Sequence, residues 1–418
     1  MGVIHLKTLL EELAAAGIDT YEGMAEYVRA MRIKLGMKPG EKFIIAIDAS
    51  LYMIRYKRNS EKIERLFLRQ LLLALEAGAV PLYVFDGIAP QQKRPIIRDR
   101  QQKKQRVRSR LEHMANNSFA KGARTYAQGN ESPKSTKSPK HEETYDPSSL
   151  IRDLSSFSVD SLIQHIDRTM CETLGKPCGS VGSIRHNPST QQHTDYDEFV
   201  RLAKRMASIS NTDTDRLKKF FDILRIPYIT APGEADDMMV SLWKQGLVHA
   251  LQTEDSDMFV KRCGNVIHVS NKGIKHFCLP RMLVSLGLTY EQFVDLCVLL
   301  GSDYYKAYLP RMKWLELYSL FIRLEDPCIE EFVLAYATID DSIIHHLEAY
   351  QEARRLFITP IPITVTRINI NLRPIALNTI TDYFTSVGIE LNKREVQSMR
   401  STLGRVNRFI RGWMQLCV

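Results

Sequence analysis

At 418 residues, 44% hydrophobic and 25% charged, the chain has the composition of an ordinary globular protein of two to three domains, which excludes a fibrous or wholly disordered class. No run of 18 or more apolar residues occurs, so a membrane-spanning helix is not expected. The net charge of +9 is uneven: Gln91 to Arg110 carries nine Lys or Arg residues against one acid, Asp99, a local field suited either to a polyanionic partner or to a solvated helix face.

The first predicted element is an amphipathic helix near the start, with Ile4, Leu6, Leu9, Leu10 and Leu13 turned inward. The opening lacks the charged stretch and small-residue cleavage site of a secretory signal, and Leu6 stands where a myristoylation signal carries Ser or Thr. Three short apolar runs that end in polar residues read as buried parallel strands: FIIAID (Phe43–Asp48), PLYVFD (Pro81–Asp86) and LVHALQTEDSD (Leu247–Asp257). A fourth, PYIT (Pro227–Thr230), precedes Ala231-Pro232-Gly233. Helices are expected from Ser60 to Glu76, with Gly78 as a stop, and from Asp215 to Leu224. The alternation predicts an α/β fold with a parallel central sheet flanked by helices. After Asp303 the chain reads as a mostly helical C-terminal region, with a short strand at Ile363–Ile370 and a final amphipathic helix from Asn392.

Between about Met114 and Asp195 the chain is rich in Ser, Pro, Gly, Lys and Asn, a composition that cannot bury enough apolar surface to order itself. An island from Ser149 to Leu174 keeps helical periodicity. The expected organisation is an N-terminal region 1–113, a partly disordered insert 114–199, an internal region 200–305 and a helical C-terminal region 306–418. The seven cysteines are scattered and odd in number, as reduced intracellular thiols would be. Cys171 and Cys178, with His165 and His186, match no standard zinc spacing.

Each apolar run ends in acid: Asp48, Asp86, and the pair Asp255 and Asp257. In a parallel sheet the carboxyl ends of the strands share one edge, where ligands bind. Carboxylates crowded there repel by several kcal/mol per pair at about 4 Å and intermediate dielectric, so a cation must offset them. All-oxygen ligands of this kind suit Mg2+ or Mn2+, not zinc. Glu234, Asp236 and Asp237 open the helix after Pro232-Gly233, and Asp303 follows a helical run from Tyr290. Any one of these acids is explained as a turn former or a helix-start residue; their joint occurrence is not.

The motifs IAIDAS, YVFDG, PGEAD, TEDSDM and VDLCVLLGSDY, after a Met-Gly-hydrophobic start, resemble in kind and order those of the flap endonuclease family. Its relatives include the xeroderma pigmentosum G-type and exonuclease-one-type nucleases. The resemblance covers residues 1–110 and 200–305 and continues more weakly beyond. It implies a PIN-like 5′ nuclease fold and a structure-specific, divalent-metal-dependent 5′ DNA nuclease. Flap endonuclease and 5′–3′ exonuclease activity in replication, recombination or repair would follow. Two Mg2+ ions, with Mn2+ as a substitute, would be held directly or through water by Asp48, Asp86, Glu234, Asp236, Asp255, Asp257 and Asp303. Asp236 stands where many flap enzymes carry Glu.

The same resemblance gives Lys93 and Arg100 the catalytic contacts to the scissile phosphate. Seven residues apart, they share a helix face provided that Pro95 lies in the first turn. Further DNA contacts are implied at Gly2, Tyr52, Tyr56, Arg94, Arg98, Lys103, Lys104, Arg311 and Lys313. Tyr52 and Tyr56 read equally as base-stacking groups or as core. The implied partner is DNA with single-strand/double-strand junctions, in the nucleus or another intracellular site of replication.

Three departures qualify the resemblance. Pro310 and Met312 occupy the glycine positions of the family's Gly-x-Gly hairpin; proline lacks an amide donor and methionine resists positive φ, so the hairpin, with its duplex grip and potassium site, is expected to be reshaped. The insert is longer than in typical flap enzymes, and its basic SPK repeats suit a spacer or a phosphorylated segment. A sliding-clamp box is not clear: Ile380, Tyr383 and Phe384 have the later spacing, but Leu377 replaces the glutamine, and the segment reads as structural. These features suggest a divergent lineage, a large DNA virus among the candidates. Two other function classes compete, a catalytically weak nucleic-acid-binding scaffold and an RNA-directed nuclease on the same fold. The complete acid set speaks against the first, because unpaired buried carboxylates are costly, and the motif order favours DNA over RNA.

Overall fold

The computed structural model describes residues 3–58, 62–89, 93–129, 191–302, 305, 309, 312–359, 363, 365 and 367–415, without the side chains of 115–129 and 191–197. The first elements are α1 (Leu6–Leu13), β1 (Ile18–Tyr21), α2 (Met24–Lys34), β2 (Phe43–Asp48), α3 (Ala49–Lys57), α4 (Ile63–Glu76), β3 (Ala79–Phe85) and α5 (Arg94–Gly129). Then come α6 (Gln191–Met206), α7 (Asn211–Leu224), β4 (Tyr228–Thr230), α8 (Ala235–Lys244), β5 (Ala250–Gln252) and α9 (Asp257–Val260). They are followed by β6 (Val266–Ser270), β7 (Gly273–Phe277), α10 (Leu279–Leu286) and α11 (Tyr290–Leu300). The last are α12 (Trp314–Phe321), α13 (Ile329–Ala337), α14 (Leu347–Ile358), α15 (Leu377–Ser386) and α16 (Lys393–Gln415). The chain divides into two compact units: Met1–Tyr52, Glu64–Ile96 and Thr214–Val418 form one, and Met53–Ile63 with Ile97–Asp213 the other.

The larger unit holds a seven-stranded sheet in the order β1-β7-β6-β5-β2-β3-β4. Strands β2 to β6 run parallel where they pair, and every residue of FIIAID and AVPLYVF is buried, as a strand covered on both faces requires. The sheet is therefore mostly parallel, not wholly so. β7 returns antiparallel on β6 through the Ser270–Gly273 turn, too short for a crossover, and β1 pairs antiparallel with β7. Gly273 has φ +114, and a Cβ there would meet the Tyr21 carbonyl at 2.3 Å, so this edge depends on glycine.

Aromatic packing fixes α4, α7 and α15 to the sheet. Tyr83 of β3 stacks on Phe221 at 4.4 Å and meets Phe67 edge-on at 5.5 Å, while Phe220 stacks on Tyr383 at 4.8 Å. The final helix starts at Lys393 behind a reciprocal cap: Asn392 N–H donates to Glu395 Oε2 and Glu395 N–H to Asn392 Oδ1, both at 2.9 Å. In α1, Leu6, Leu9 and Leu10 are buried, but Ile4 lies ahead of the helix and is 44% exposed, because the helical register begins only at Leu6. The described residues of 363–370 are not in a strand, contrary to expectation; the Ile363 carbonyl accepts from the Ser241 hydroxyl at 2.6 Å and the Val365 amide donates to Gln245 Oε1 at 3.3 Å, so side chains take up backbone groups that a ladder would use. The Ser149–Leu174 island and the Cys171, Cys178, His165 and His186 group lie outside the described residues. Among the described residues, no single helix is long and apolar enough to cross a membrane.

In the smaller unit Leu111 of α5 is buried, as are Phe199, Leu202 and Ala203 of α6. Arg110 pairs with Glu198 at 2.7 Å, and Lys57 with Asp213, which also accepts from the Ser210 amide at 2.9 Å.

Candidate functional site

Because β2, β3, β4 and β5 run parallel, their carboxyl ends lie on one edge, and the acidic motifs sit there. Asp48 is the last residue of β2, paired in register with Val84 of β3; Asp86 follows β3 by one residue. Asp255 and Asp257 follow β5, and Glu234 and Asp236 open α8 after β4. Close loops hold this rim. The Gly87 amide donates to the Gly233 carbonyl at 2.7 Å, and a Cβ on Gly87 would meet the Ala231 carbonyl at 2.0 Å. Glycine in the YVFDG motif therefore lets the β3 loop lie against the APGE loop. Asp86 Oδ1 accepts from the Ala235 amide at 2.8 Å at the start of α8, where a helix favours a carboxylate.

Asp48 is buried, accepting from the Leu51 amide at 2.9 Å and from the Thr253 hydroxyl at 3.2 Å. Burial pushes its carboxyl up to about 7, and the charges of Asp86 and Asp255 push the same way against those two hydrogen bonds. Burial also holds Asp236 well above the ordinary carboxylate range; Asp255 adds to the rise and the Lys261 ammonium opposes it. Asp257 is buried, and its amide donates to Asp255 Oδ1 at 3.2 Å as α9 begins.

This is an all-oxygen donor set with more negative charge than its surroundings accommodate, which fits a hard divalent cation. Asp48, Asp86, Glu234, Asp236, Asp255 and Asp257 are the residues that could hold one. Among the described residues, no three acidic, Cys or His side chains close on one point as a ready-made cage. Two lysines take up part of the rim instead. Lys93 Nζ lies 2.7 Å from Glu234 Oε1, and Lys261 Nζ lies 2.6 Å from Asp237 Oδ1 and 3.9 Å from Glu234 Oε2.

Lys93 immediately precedes α5, which starts at Arg94, so Pro95 does fall in the first turn. Tyr52 does not fit a base-stacking role: it is 2% exposed and its hydroxyl accepts from Gln252 Nε2 at 3.2 Å, because its position on α3 turns it into the core. Arg94 is exposed, and Lys313 is exposed at the start of α12, with Met312 half-buried before it. Tyr56, Arg98, Arg100, Lys103 and Lys104 belong to the smaller unit. There Tyr56 and Arg100 are half-buried, Arg98, Lys103 and Lys104 are exposed, and Lys103 pairs with Asp99 at 2.9 Å. Gly2, Asp303, Pro310 and Arg311 lie outside the described residues. The flanks of two of these are nonetheless informative: the Ile4 amide donates to the Gly301 carbonyl at 2.9 Å, and Ser256 Oγ lies 3.5 Å from the Val3 carbonyl. The N-terminal segment thus touches the loop between Asp255 and Asp257 and the end of α11.

Sequence reasoning missed Thr253 and Lys261, and assigned Asp237 no part. Thr253 could have been suspected from its place between a buried strand and the acids. The signal for Lys261 was a cation four residues after Asp257, directly after the apolar run Met258–Val260.

Comparison with known proteins bears on this geometry. The XPG I-region family model matches residues 225–303, which include the PGEAD, TEDSDM and GSD segments. Flap endonuclease 1 of Mus musculus is 38% identical over 114 residues, 26% of this chain and 30% of that protein. Flap endonuclease 1 of Osmerus mordax is 30% identical over 179 residues, 41% of this chain and 45% of that protein. The chain thus spans less than half the length of these curated relatives. In structure, the catalytic core of Rad2 in complex with DNA substrate is similar with a TM-score of 0.55 at 14% identity, over 97% of this chain and 100% of that one. Human GEN1 in complex with Holliday junction DNA gives 0.52 at 14% identity, over 96% and 77%. At such identities the structural likeness is one of fold, and the sequence matches make residues 225–303 similar to the XPG I-region family and parts of the chain similar to flap endonuclease 1.

Proposed function

We propose that this protein is a structure-specific 5′ DNA nuclease that hydrolyses phosphodiester bonds with two divalent metal ions, Mg2+ or Mn2+, at DNA junctions during replication, recombination or repair. The observation that carries this is the convergence of acids from four separated segments on one sheet edge, where burial, helped by the charges of Asp86 and Asp255, pushes Asp48 up to about 7. Asp48, Asp86, Glu234, Asp236, Asp255 and Asp257, with Asp303, are the proposed ligands. A divalent metal bound there supplies an acidified water and charge stabilisation for the phosphoryl oxygens.

The chain's own residues do the rest. Thr253 and the Leu51 amide orient Asp48, and the Ala235 amide orients Asp86. Lys93, held at the rim by Glu234, is the group proposed to contact the scissile phosphate, with Arg100 as its helical partner. The exposed cations Arg94, Arg98, Lys103, Lys104 and Lys313 are proposed grips on the DNA backbone.

The test is cleavage of matched flap, nicked, gapped, single-stranded and RNA substrates with Mg2+, beside Asp255→Asn. Metal-dependent cutting of DNA junctions, lost in the variant, is the expected result. Unchanged cutting by Asp255→Asn would overturn the ligand assignment, and no metal-dependent cutting of any substrate would favour a nucleic-acid scaffold.

A further inference from the structure

Lys261 is 7% exposed, and lysine is rarely so buried unless its charge is met. It sits one turn beyond Asp257, its amide donating to the Asp257 carbonyl at 2.9 Å. Asp237 lies three residues after Glu234, so the two carboxylates share a flank at the start of α8. Lys261 meets both, at 2.6 Å from Asp237 Oδ1 and 3.9 Å from Glu234 Oε2. It therefore links two segments that carry proposed metal ligands, the first turn of α8 with Asp236 and the short α9 with Asp257. Glu234 faces a different ammonium from each oxygen, Lys93 at Oε1 and Lys261 at Oε2.

We propose that Lys261, anchored by Asp237, is a built-in counter-ion of the acidic rim that competes electrostatically with divalent metal and so sets the affinity of the site for it. The proposal rests on the rim being a metal site, the reading given under Proposed function. The sign of the change in metal affinity distinguishes a counter-ion from a simple clip between α8 and α9. A clip, once cut, loosens the ligands and weakens metal binding. A counter-ion, once removed, leaves the same carboxylates facing the metal with one less positive charge, and binding tightens. The same removal destabilises the metal-free protein, because mutual repulsion of the acids is then less offset.

The experiment is isothermal titration of the full chain with Mn2+, and separately with Ca2+, for wild type, Lys261→Met, Lys261→Gln and Lys261→Arg. Circular dichroism confirms that each is folded, and thermal melts are recorded with and without metal. Met keeps length without charge, Gln keeps a donor for Asp237, and Arg restores the charge. The neutral variants are expected to bind Mn2+ on the order of tenfold more tightly than wild type. They should also melt lower without metal and gain more on its addition, with Arg close to wild type in all three. Unchanged or weaker binding in a folded neutral variant, while wild type binds metal, overturns the counter-ion role alone. Should Lys261→Met not fold, Lys261→Gln decides by the same sign. A wild-type protein that binds neither ion overturns the metal-site reading itself, and this proposal with it.

Discussion

Lys93 Nζ and Glu234 Oε1 are 2.7 Å apart, bridging the start of α5 and the N-cap of α8, and both side chains are largely buried. A proposed phosphate contact is thus stored on a proposed metal ligand. Engagement of the Glu234 carboxylate by a metal would take this pairing away from the Lys93 ammonium. Lys93→Ala is expected to slow single-turnover cleavage of a flap substrate by about 10²-fold or more, the scale of a lost transition-state donor. Binding should change only a few-fold. Equal losses in both would instead make Lys93 a plain DNA grip.

The raised Asp48 carboxyl makes the stability of the metal-free protein pH-dependent. Its folded value of about 7 lies above the ordinary 3.8, so across that window the native state holds the proton that the unfolded chain has released. Stability from this group is full below the lower value and is lost as pH rises through the upper one. In chelator, the melting temperature of wild type should fall more steeply across this window than that of Asp48→Asn. Mg2+ added near neutral pH should stabilise wild type and have less effect on the variant. Parallel pH profiles for the two proteins would refute the assignment.

Gly87 allows the β3 loop to lie against the APGE loop, since a Cβ would come within 2.0 Å of the Ala231 carbonyl. Gly87→Ala must push the Asp86 loop away from α8 and is expected to cost about 1–3 kcal/mol in urea unfolding. Gly233→Ala is the control, because its Cβ would meet nothing nearer than the Ile88 carbonyl at 3.9 Å. Similar losses in both variants would show that the close approach is not what matters.

Arg98 and Lys104 are exposed on α5 within the Gln91–Arg110 basic stretch. As phosphate grips, each neutralises about one charge. Arg98→Ala and Lys104→Ala should each lower the slope of log affinity against log salt by roughly 0.9, with little change in the preferred substrate. Unaltered slopes would return this helix to the solvated-face alternative.

The parallel core was legible because β2 and β3 are unbroken apolar runs ending in acid, a pattern that helix-flanked strands require. The same endings located the rim. The antiparallel edge was not legible: VIHVS and GIKHF are short, mixed in polarity, and set apart only by the turn chemistry at Gly273. Tyr52 was ambiguous because a helix start gives an aromatic residue no fixed facing until the helix is docked. Lys261 and Asp237 escaped notice since each is unremarkable alone, 24 residues apart, and gains meaning only once α8 and α9 are brought side by side.

The segment Leu377–Phe384 has part of the spacing of a clamp-binding box, yet α15 turns Ile380 and Phe384 fully into the core. Phe384 lies 5.6 Å from the Phe220 ring, and the neighbouring Tyr383 donates its hydroxyl to the Arg216 carbonyl at 3.0 Å. An aromatic side chain in that position contributes packing, and its loss leaves a cavity that the stacked rings cannot fill. Phe384→Ala is expected to cost about 3–5 kcal/mol in chemical denaturation. Binding to a sliding clamp should be unaffected at temperatures where the variant stays folded, since a box residue must be free to enter a partner's pocket. A variant of unchanged stability that lost clamp binding would show that α15 leaves the core and serves as a docking segment.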